Sequence, residues 1–176
     1  MMSFSLITPI AATLTLVGHI FLVLFALGLV LKVPLMRTVR QLMGKYAVLL
    51  SFLVTLFALI GSLLYSEALG FEPCVLCWVQ RIFIYPQVLL AGLALWWKDN
   101  SVLKYLVSLS VLGGIVALYH SYTNLGGASF LPCAAEGGSC ATLYVFEYGY
   151  ITIPMMALTT FVFLIVFALC RKYEER

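Results

Sequence analysis

Apolar positions along this chain follow neither the alternation of a strand nor the one-sided stripe of a soluble helix; they come in long unbroken runs. A helix needs about 20 apolar residues to cross ~30 Å of hydrocarbon. Five windows suit that length, at Ile10–Leu31, Tyr46–Ser66, Trp78–Trp97, Tyr105–Tyr122 and Tyr148–Cys170, with Arg81 the lone charge, near the start of the third. Each predicts a membrane-spanning helix, and together they leave little chain for a separate folded domain. Pro86 and Pro154 fall inside two of the runs, where kinks are expected and the freed backbone groups need partners. Between the first two runs the pattern changes: Pro34–Lys45 sets Leu35, Val39 and Leu42 at helical spacing opposite Arg37, Arg40 and Lys45. That suits a short helix lying on an anionic leaflet, with a plain solvated connector as the other reading.

Charge then orients the runs. Lys32, Arg37, Arg40 and Lys45 crowd the first connection without an acid, Lys98 and Lys104 flank Asp99 in the third, and Arg171 and Lys172 follow the last run. The second and fourth connections carry Glu67, Glu72, Glu136 and Glu147 and no Lys or Arg. By the positive-inside rule the basic connections face the cytoplasm, so the N-terminus lies outside and the C-terminus inside. The first run has no basic segment before it and exceeds a signal-peptide core, so it is expected to be a retained helix.

Composition agrees. The 176 residues are 64% hydrophobic and 10% charged, against roughly 45–50% and 25% in soluble domains. A soluble domain, or nucleic-acid binding as the main task, is excluded, and the net charge of +3 reports cytoplasmic connections rather than an acidic partner. There is a coarse duplication of span, cysteine-bearing outer loop and span, at 46–97 and 105–170.

Those loops carry the candidate chemistry. Cys74 and Cys77 form a C-x-x-C, Cys133 and Cys140 a C-x6-C, and Cys170 stands alone at the inner end of the last run. The first four face an oxidising space, Cys170 a reducing one. Cys74-Val75-Leu76-Cys77 follows Pro73 and opens the third span, so its thiols meet a helix N-terminus, where unsatisfied N–H groups and the macrodipole favour thiolate. That makes a redox couple; the alternative, a structural staple, closes too little chain to stabilise much. Cys133 and Cys140 sit in a loop of roughly 25 residues, longer than a mere connector, with Gly126, Gly127, Gly137 and Gly138 to make it mobile. A shuttle and a static loop disulfide are both open there. The four thiols could also hold zinc or copper(I), although no histidine or carboxylate is obviously placed to support a metal.

Arg81 lies four residues after Cys77, on the same helix face and one turn deeper. An ionisable residue within a span is a functional candidate, and a cation beneath a thiolate suits an acceptor that gains negative charge, such as a quinone carbonyl. Snorkelling to the headgroups is the alternative. His19 and His120 look isolated and read as hydrogen-bonded helix residues, and Trp78, Trp96 and Trp97 suit interfacial belts.

Pro73-Cys74-Val75-Leu76-Cys77-Trp78-Val79-Gln80-Arg81, Tyr85-Pro86, the loop from Pro132-Cys133 to Cys140, and Tyr150-Ile151-Thr152-Ile153-Pro154 together resemble the DsbB family of disulfide-generating membrane proteins, in particular its short-loop BdbC-type branch. The resemblance covers about Tyr46–Cys170. It implies an all-α membrane protein: a four-helix transmembrane bundle over 46–176 with the C-x-x-C at an outer helix end. One additional N-terminal transmembrane helix and its basic loop occupy 1–45. It also implies a quinone as electron acceptor, ubiquinone or menaquinone, and a DsbA-like thioredoxin-fold oxidase as partner; the DsbA–DsbB–quinone chain is known to keep the bacterial periplasm oxidising. By the same resemblance Cys77 is the thiolate beside the quinone, Cys74 exchanges with the loop pair, Cys133 is attacked by the partner, Cys140 relays to Cys74, and Arg81 holds the quinone. The chain departs from the type member in the short spacing of its second pair and in the span before Tyr46. Two rivals differ in kind. A vitamin-K-epoxide-reductase-like enzyme places its loop pair before the C-x-x-C, whereas here it follows, and a membrane scaffold or metal-handling protein would use the cysteines structurally.

Overall fold

A computed structural model describes residues 7–128, 140 and 142–174. Among these the architecture is helical: α1 Ile7–Val30, α2 Pro34–Lys45, α3 Ala47–Leu63 extended by a π-helical turn Leu64–Ala68, α4 Val75–Trp97, α5 Leu103–Asn124 and α6 Ile153–Glu174. Five of the helices are long and apolar enough to cross a membrane. α3 to α6 form the bundle, α5 packing on α6, α3 on α4, α4 on α5 and α3 on α6, while α1 and α2 lie against α6.

Each boundary has a local cause. α1 ends where Lys32 takes a left-handed backbone (φ 56°) and Pro34 begins α2, a position whose missing N–H costs nothing. α2 spans the residues expected of the amphipathic segment, but its apolar stripe is divided. Val39 packs with Met36 and Met43 against the core, whereas Leu35 and Leu42 are exposed. α4 starts three residues before the expected Trp78, because Cys74 caps it, its sulfur accepting the Cys77 backbone N–H at 3.4 Å. Arg81 therefore sits in the second turn, and the helix runs unbroken through Pro86. α6 starts five residues after the expected Tyr148. Tyr148 (φ 52°) and Gly149 (φ 79°) turn left-handed, and the turn is closed by backbone pairing of Glu147 with Ile151. Pro154 thus falls in the first turn of α6, where proline fits, and not at a kink.

Lipid solvates apolar side chains as well as a protein core does, so the bundle depends on close approach and on polar links. Gly113 of α5 faces the Phe161 ring of α6 where any Cβ would collide. Between α4 and α5, buried Ser110 donates to Gln87 Oε1 at 3.1 Å. α1 is fastened through side-chain hydrogen bonds. His19 Nε2 meets Thr159 Oγ1 at 2.7 Å, and Nδ1 meets the Tyr150 hydroxyl at 3.0 Å. Thr159 already donates to the Met155 carbonyl, so His19 Nε2 donates to Thr159 and Nδ1 accepts from Tyr150. Thr13 and Tyr148 add a hydroxyl pair at 2.9 Å.

This topology gathers Lys32, Arg37, Arg40, Lys45, Lys98, Lys104, Arg171 and Lys172 at one end of the bundle. Cys74, Cys77 and Cys140 lie at the other.

Candidate functional site

At the cysteine end, the start of α4 delivers Cys74 and Cys77 with their sulfurs 3.2 Å apart, and both are thiols. Besides its contact with the Cys77 sulfur, the Cys74 sulfur meets two further groups: the Cys77 backbone N–H, which donates to it, and His120 of α5, whose Nε2 lies 3.6 Å away. The other imidazole nitrogen, Nδ1, meets the buried Gln80 amide Nε2 at 2.9 Å. An amide nitrogen can only donate, so Nδ1 accepts and the proton resides on Nε2, aimed at Cys74. The side-chain hydrogen bond between Cys74 and Cys77, aided by His120, pulls the Cys74 thiol from its ordinary 9.0 down to about 4, against the opposing effect of burial. Of the two sulfurs, Cys74 is the one the fold favours as thiolate.

Cys140 reaches the same place. It is disulfide-bonded, is 2% exposed, and packs with Cys74 and Leu76. Buried Asn124, the last residue of α5, donates its side-chain amide to the Cys140 carbonyl and holds the loop end there. The two cysteine-bearing loops are also clipped together by Phe71, whose ring stacks on Tyr144 at 4.7 Å. Cys133 lies outside the described residues.

Arg81 lies one turn beyond Cys77 and points sideways to α3. Its Nε donates to Ser62 Oγ at 2.9 Å and its Nη2 to the Ser62 carbonyl at 3.1 Å, and Tyr85 donates to the same hydroxyl at 3.3 Å. The guanidinium carbon stands 5.0 Å from the centre of the Trp78 ring, which is more than half exposed. Arg81 is thus partly committed to bracing α3 against α4, with an aromatic and Ile82 exposed beside it. Cys170 is buried at the opposite end of the bundle, away from these residues.

Sequence reasoning left His120 isolated, and the fold brings it onto Cys74. The available signal was depth: His120 lies near the outer end of its run, level with the C-x-x-C that opens the preceding one. The donor atoms of Cys74, Cys77 and His120 lie within 4.8 Å of one another, a set that could ligate a thiophilic ion. As a redox site the arrangement offers a stabilised leaving thiolate at Cys74, a second thiol in contact with it, and a disulfide cysteine packed alongside.

The sequence matches the family model described as "Disulfide bond formation protein DsbB" over residues 44–173. It is 38% identical to "Disulfide bond formation protein C" of Bacillus subtilis over 127 residues, 71% of this chain and 91% of that protein. It is 39% identical over 125 residues to "Probable disulfide formation protein C" of Bacillus cereus, 70% of this chain and 89% of the relative. With the "SPbeta prophage-derived disulfide bond formation protein B" of Bacillus subtilis it shares 41% over 113 residues, 64% of this chain and 76% of the relative. No solved structure matches the chain.

Proposed function

This chain belongs to the DsbB family of disulfide bond formation proteins, multi-pass membrane proteins of thiol–disulfide chemistry, and on that footing we propose that it reoxidises a DsbA-like thioredoxin-fold partner and passes the electrons to a membrane quinone. In this reading residues 46–176 are the catalytic bundle, its cysteine end faces outward from the cell membrane, and the basic end and C-terminus face the cytoplasm.

Each exchange step moves one sulfur–sulfur bond. A partner thiolate attacks Cys133, the Cys133–Cys140 bond breaks, and Cys140 leaves as a thiolate; the partner's second thiol then displaces Cys133 and departs oxidised. Cys140 attacks the Cys74 sulfur of the oxidised C-x-x-C, and Cys77 leaves. Cys133 closes back onto Cys140, expelling Cys74 as a thiolate that the Cys77 N–H and the Nε2–H of His120 receive. Two electrons now reside on the Cys74–Cys77 dithiol.

A bound quinone supplies the two-electron, two-proton acceptor that returns this pair to the disulfide. The residues suit such a group: Arg81 offers a cation one turn beyond Cys77, and Trp78 and Ile82 give it an exposed apolar flank continuous with the bilayer. Arg81 would bind and orient the acceptor, with Ser62 fixing the guanidinium plane. His120, its proton held on Nε2, would keep charge at Cys74 between turnovers. Exposed Leu143, Tyr144 and Phe146 beside the second loop give the partner an apolar landing surface.

The observation that supports this reading is that Cys140 shares one buried cluster with Cys74 and Leu76, at the start of the C-x-x-C helix. The test is full-length protein in detergent with a reduced thioredoxin-fold partner and a soluble ubiquinone or menaquinone analogue. Quinone absorbance should fall in step with loss of partner thiols, and a preparation that oxidises the partner without consuming quinone would overturn the acceptor assignment. The Cys74, Cys77 and His120 donor set favours one other reading, a thiophilic-metal site; stoichiometric zinc retained by the reduced protein through dialysis, with no quinone turnover, would decide for it.

A further inference from the structure

At the basic end, far from Cys74, Cys77 and Cys140, residues of α1, α2 and α6 line a groove of about 550 Å³. Its walls are apolar, built from Leu22, Phe25 and Leu29 of α1 and Val166 and Leu169 of α6, and Arg40 of α2 and Lys172 of α6 stand among its lining residues. The Arg40 guanidinium lies face-on to Tyr173, 3.5 Å from the ring centre. Its Nε is buried and finds no acceptor among the described residues. A buried donor without an acceptor is rare in folded proteins.

We propose that this groove is a binding site for an anionic phospholipid of the leaflet at the basic end, one acyl chain lying between α1 and α6 and the phosphodiester oxygens accepting from Arg40 beside Lys172. Three observations select that occupant. The walls match a hydrocarbon chain. A guanidinium forks onto two phosphate oxygens better than onto any uncharged lipid group. And the neighbouring cations Lys32, Arg37 and Lys45 raise the local preference for a net negative headgroup over a zwitterionic one. α2 lies at the right place for this role, with Leu35 and Leu42 exposed on one side and Met36, Val39 and Met43 packed inward on the other. The lipid would fill the gap between the bundle and α1, which lies outside the residues matched by the family model. It would act there as a bridge between α1 and α6, whose described hydrogen bonds to one another or to the α6 entry turn all lie towards the cysteine end.

The experiment is native mass spectrometry of the full-length protein in detergent, offered phosphatidylglycerol or phosphatidylcholine of the same chains. One phosphatidylglycerol should be retained per protein at least about fivefold more than phosphatidylcholine. The R40Q/K172Q double variant should fall to the phosphatidylcholine level. A26F, which places a ring at another α1 residue lining the groove and leaves both cations, should lose either lipid. Thermal unfolding in the same lipids should show phosphatidylglycerol stabilising the native chain and not R40Q/K172Q. Equal retention of the two lipids, or undiminished phosphatidylglycerol on R40Q/K172Q, would overturn the proposal. So would displacement by glycerol phosphate, which carries the headgroup chemistry without chains. If A26F fails to fold, the rim variant and the lipid comparison still decide.

Discussion

His120 and Cys74, 46 positions apart in the chain, meet with the imidazole Nε2 3.6 Å from the thiol sulfur. Gln80, six residues along the chain from Cys74, grips the opposite nitrogen at 2.9 Å. The pair of helices thereby fixes which nitrogen bears the proton, and the proton points at the sulfur that must carry charge. His120→Ala should remove that donor. A hydrogen bond to a charged group contributes roughly 1.5–3 kcal/mol, so the midpoint of Cys74 alkylation against pH should rise by about 1–2 pH units. The Cys74–Cys77 couple should become less oxidising by about 30–60 mV. An alkylation profile by peptide mass spectrometry, unmoved in the variant, would reduce His120 to a packing residue.

The low Cys74 pKa also predicts a pH dependence of the reduced protein. The thiol titrates near 4 when folded, against an ordinary 9.0. Between those values the unfolded chain binds the extra proton, so stability rises with pH. The contribution is complete above about 9 and is lost as pH falls towards about 4. The oxidised protein, with no titrating thiol there, should lack this slope. Denaturant midpoints of the two redox forms across that range make the comparison.

Single serine replacements of Cys74, Cys77, Cys133 and Cys140 should each abolish catalytic oxidation of the partner, whereas Cys170→Ser, at the opposite end of the bundle, should leave turnover intact. Steady-state assays on purified variants test this, and full activity in Cys133→Ser would break the two-pair relay.

Entry of electrons is best trapped with a partner that lacks its own resolving cysteine. Attack on the intact loop disulfide then leaves a mixed disulfide that the partner cannot release. Mass spectrometry of the adduct should find the partner on Cys133. Attachment to Cys74 or Cys77 would make the C-x-x-C itself the entry port.

Arg81→Ala should raise the quinone KM or lower kcat by at least ~10-fold, the loss expected of one charged hydrogen bond. Because Arg81 also braces Ser62, Ser62→Ala serves as the reference: it removes the hydroxyl and keeps the cation. A Ser62→Ala defect equal to that of Arg81→Ala would assign the arginine to bracing alone.

The sequence by itself determined the elements and their chemistry class. Runs of about 20 apolar residues have no stable place except across a bilayer, so five spans follow from their lengths. The clustering of cations in alternate connections separates the ends, and a C-x-x-C after Pro73 marks a helix N-terminus. The α2 boundaries also followed, since Pro34 and the helical spacing of apolar residues are local signals. The folded structure decided the remaining boundaries and everything that depends on distant partners. Two boundaries turned on local contacts that the apolar pattern does not record: Cys74, capping α4 with its own sulfur, set the helix start ahead of Trp78. A backbone pairing between Glu147 and Ile151 delayed α6 and placed Pro154 in its first turn. Arg81 found Ser62 on a neighbouring helix, and His19 found Tyr150 and Thr159 more than 130 positions away. His120 came to Cys74 only because α4 and α5 pack in antiparallel register. Nothing near either residue in the chain records that register, because helix pairing in lipid is set by steric fit and polar contacts between spans and not by the apolar pattern that defines each span.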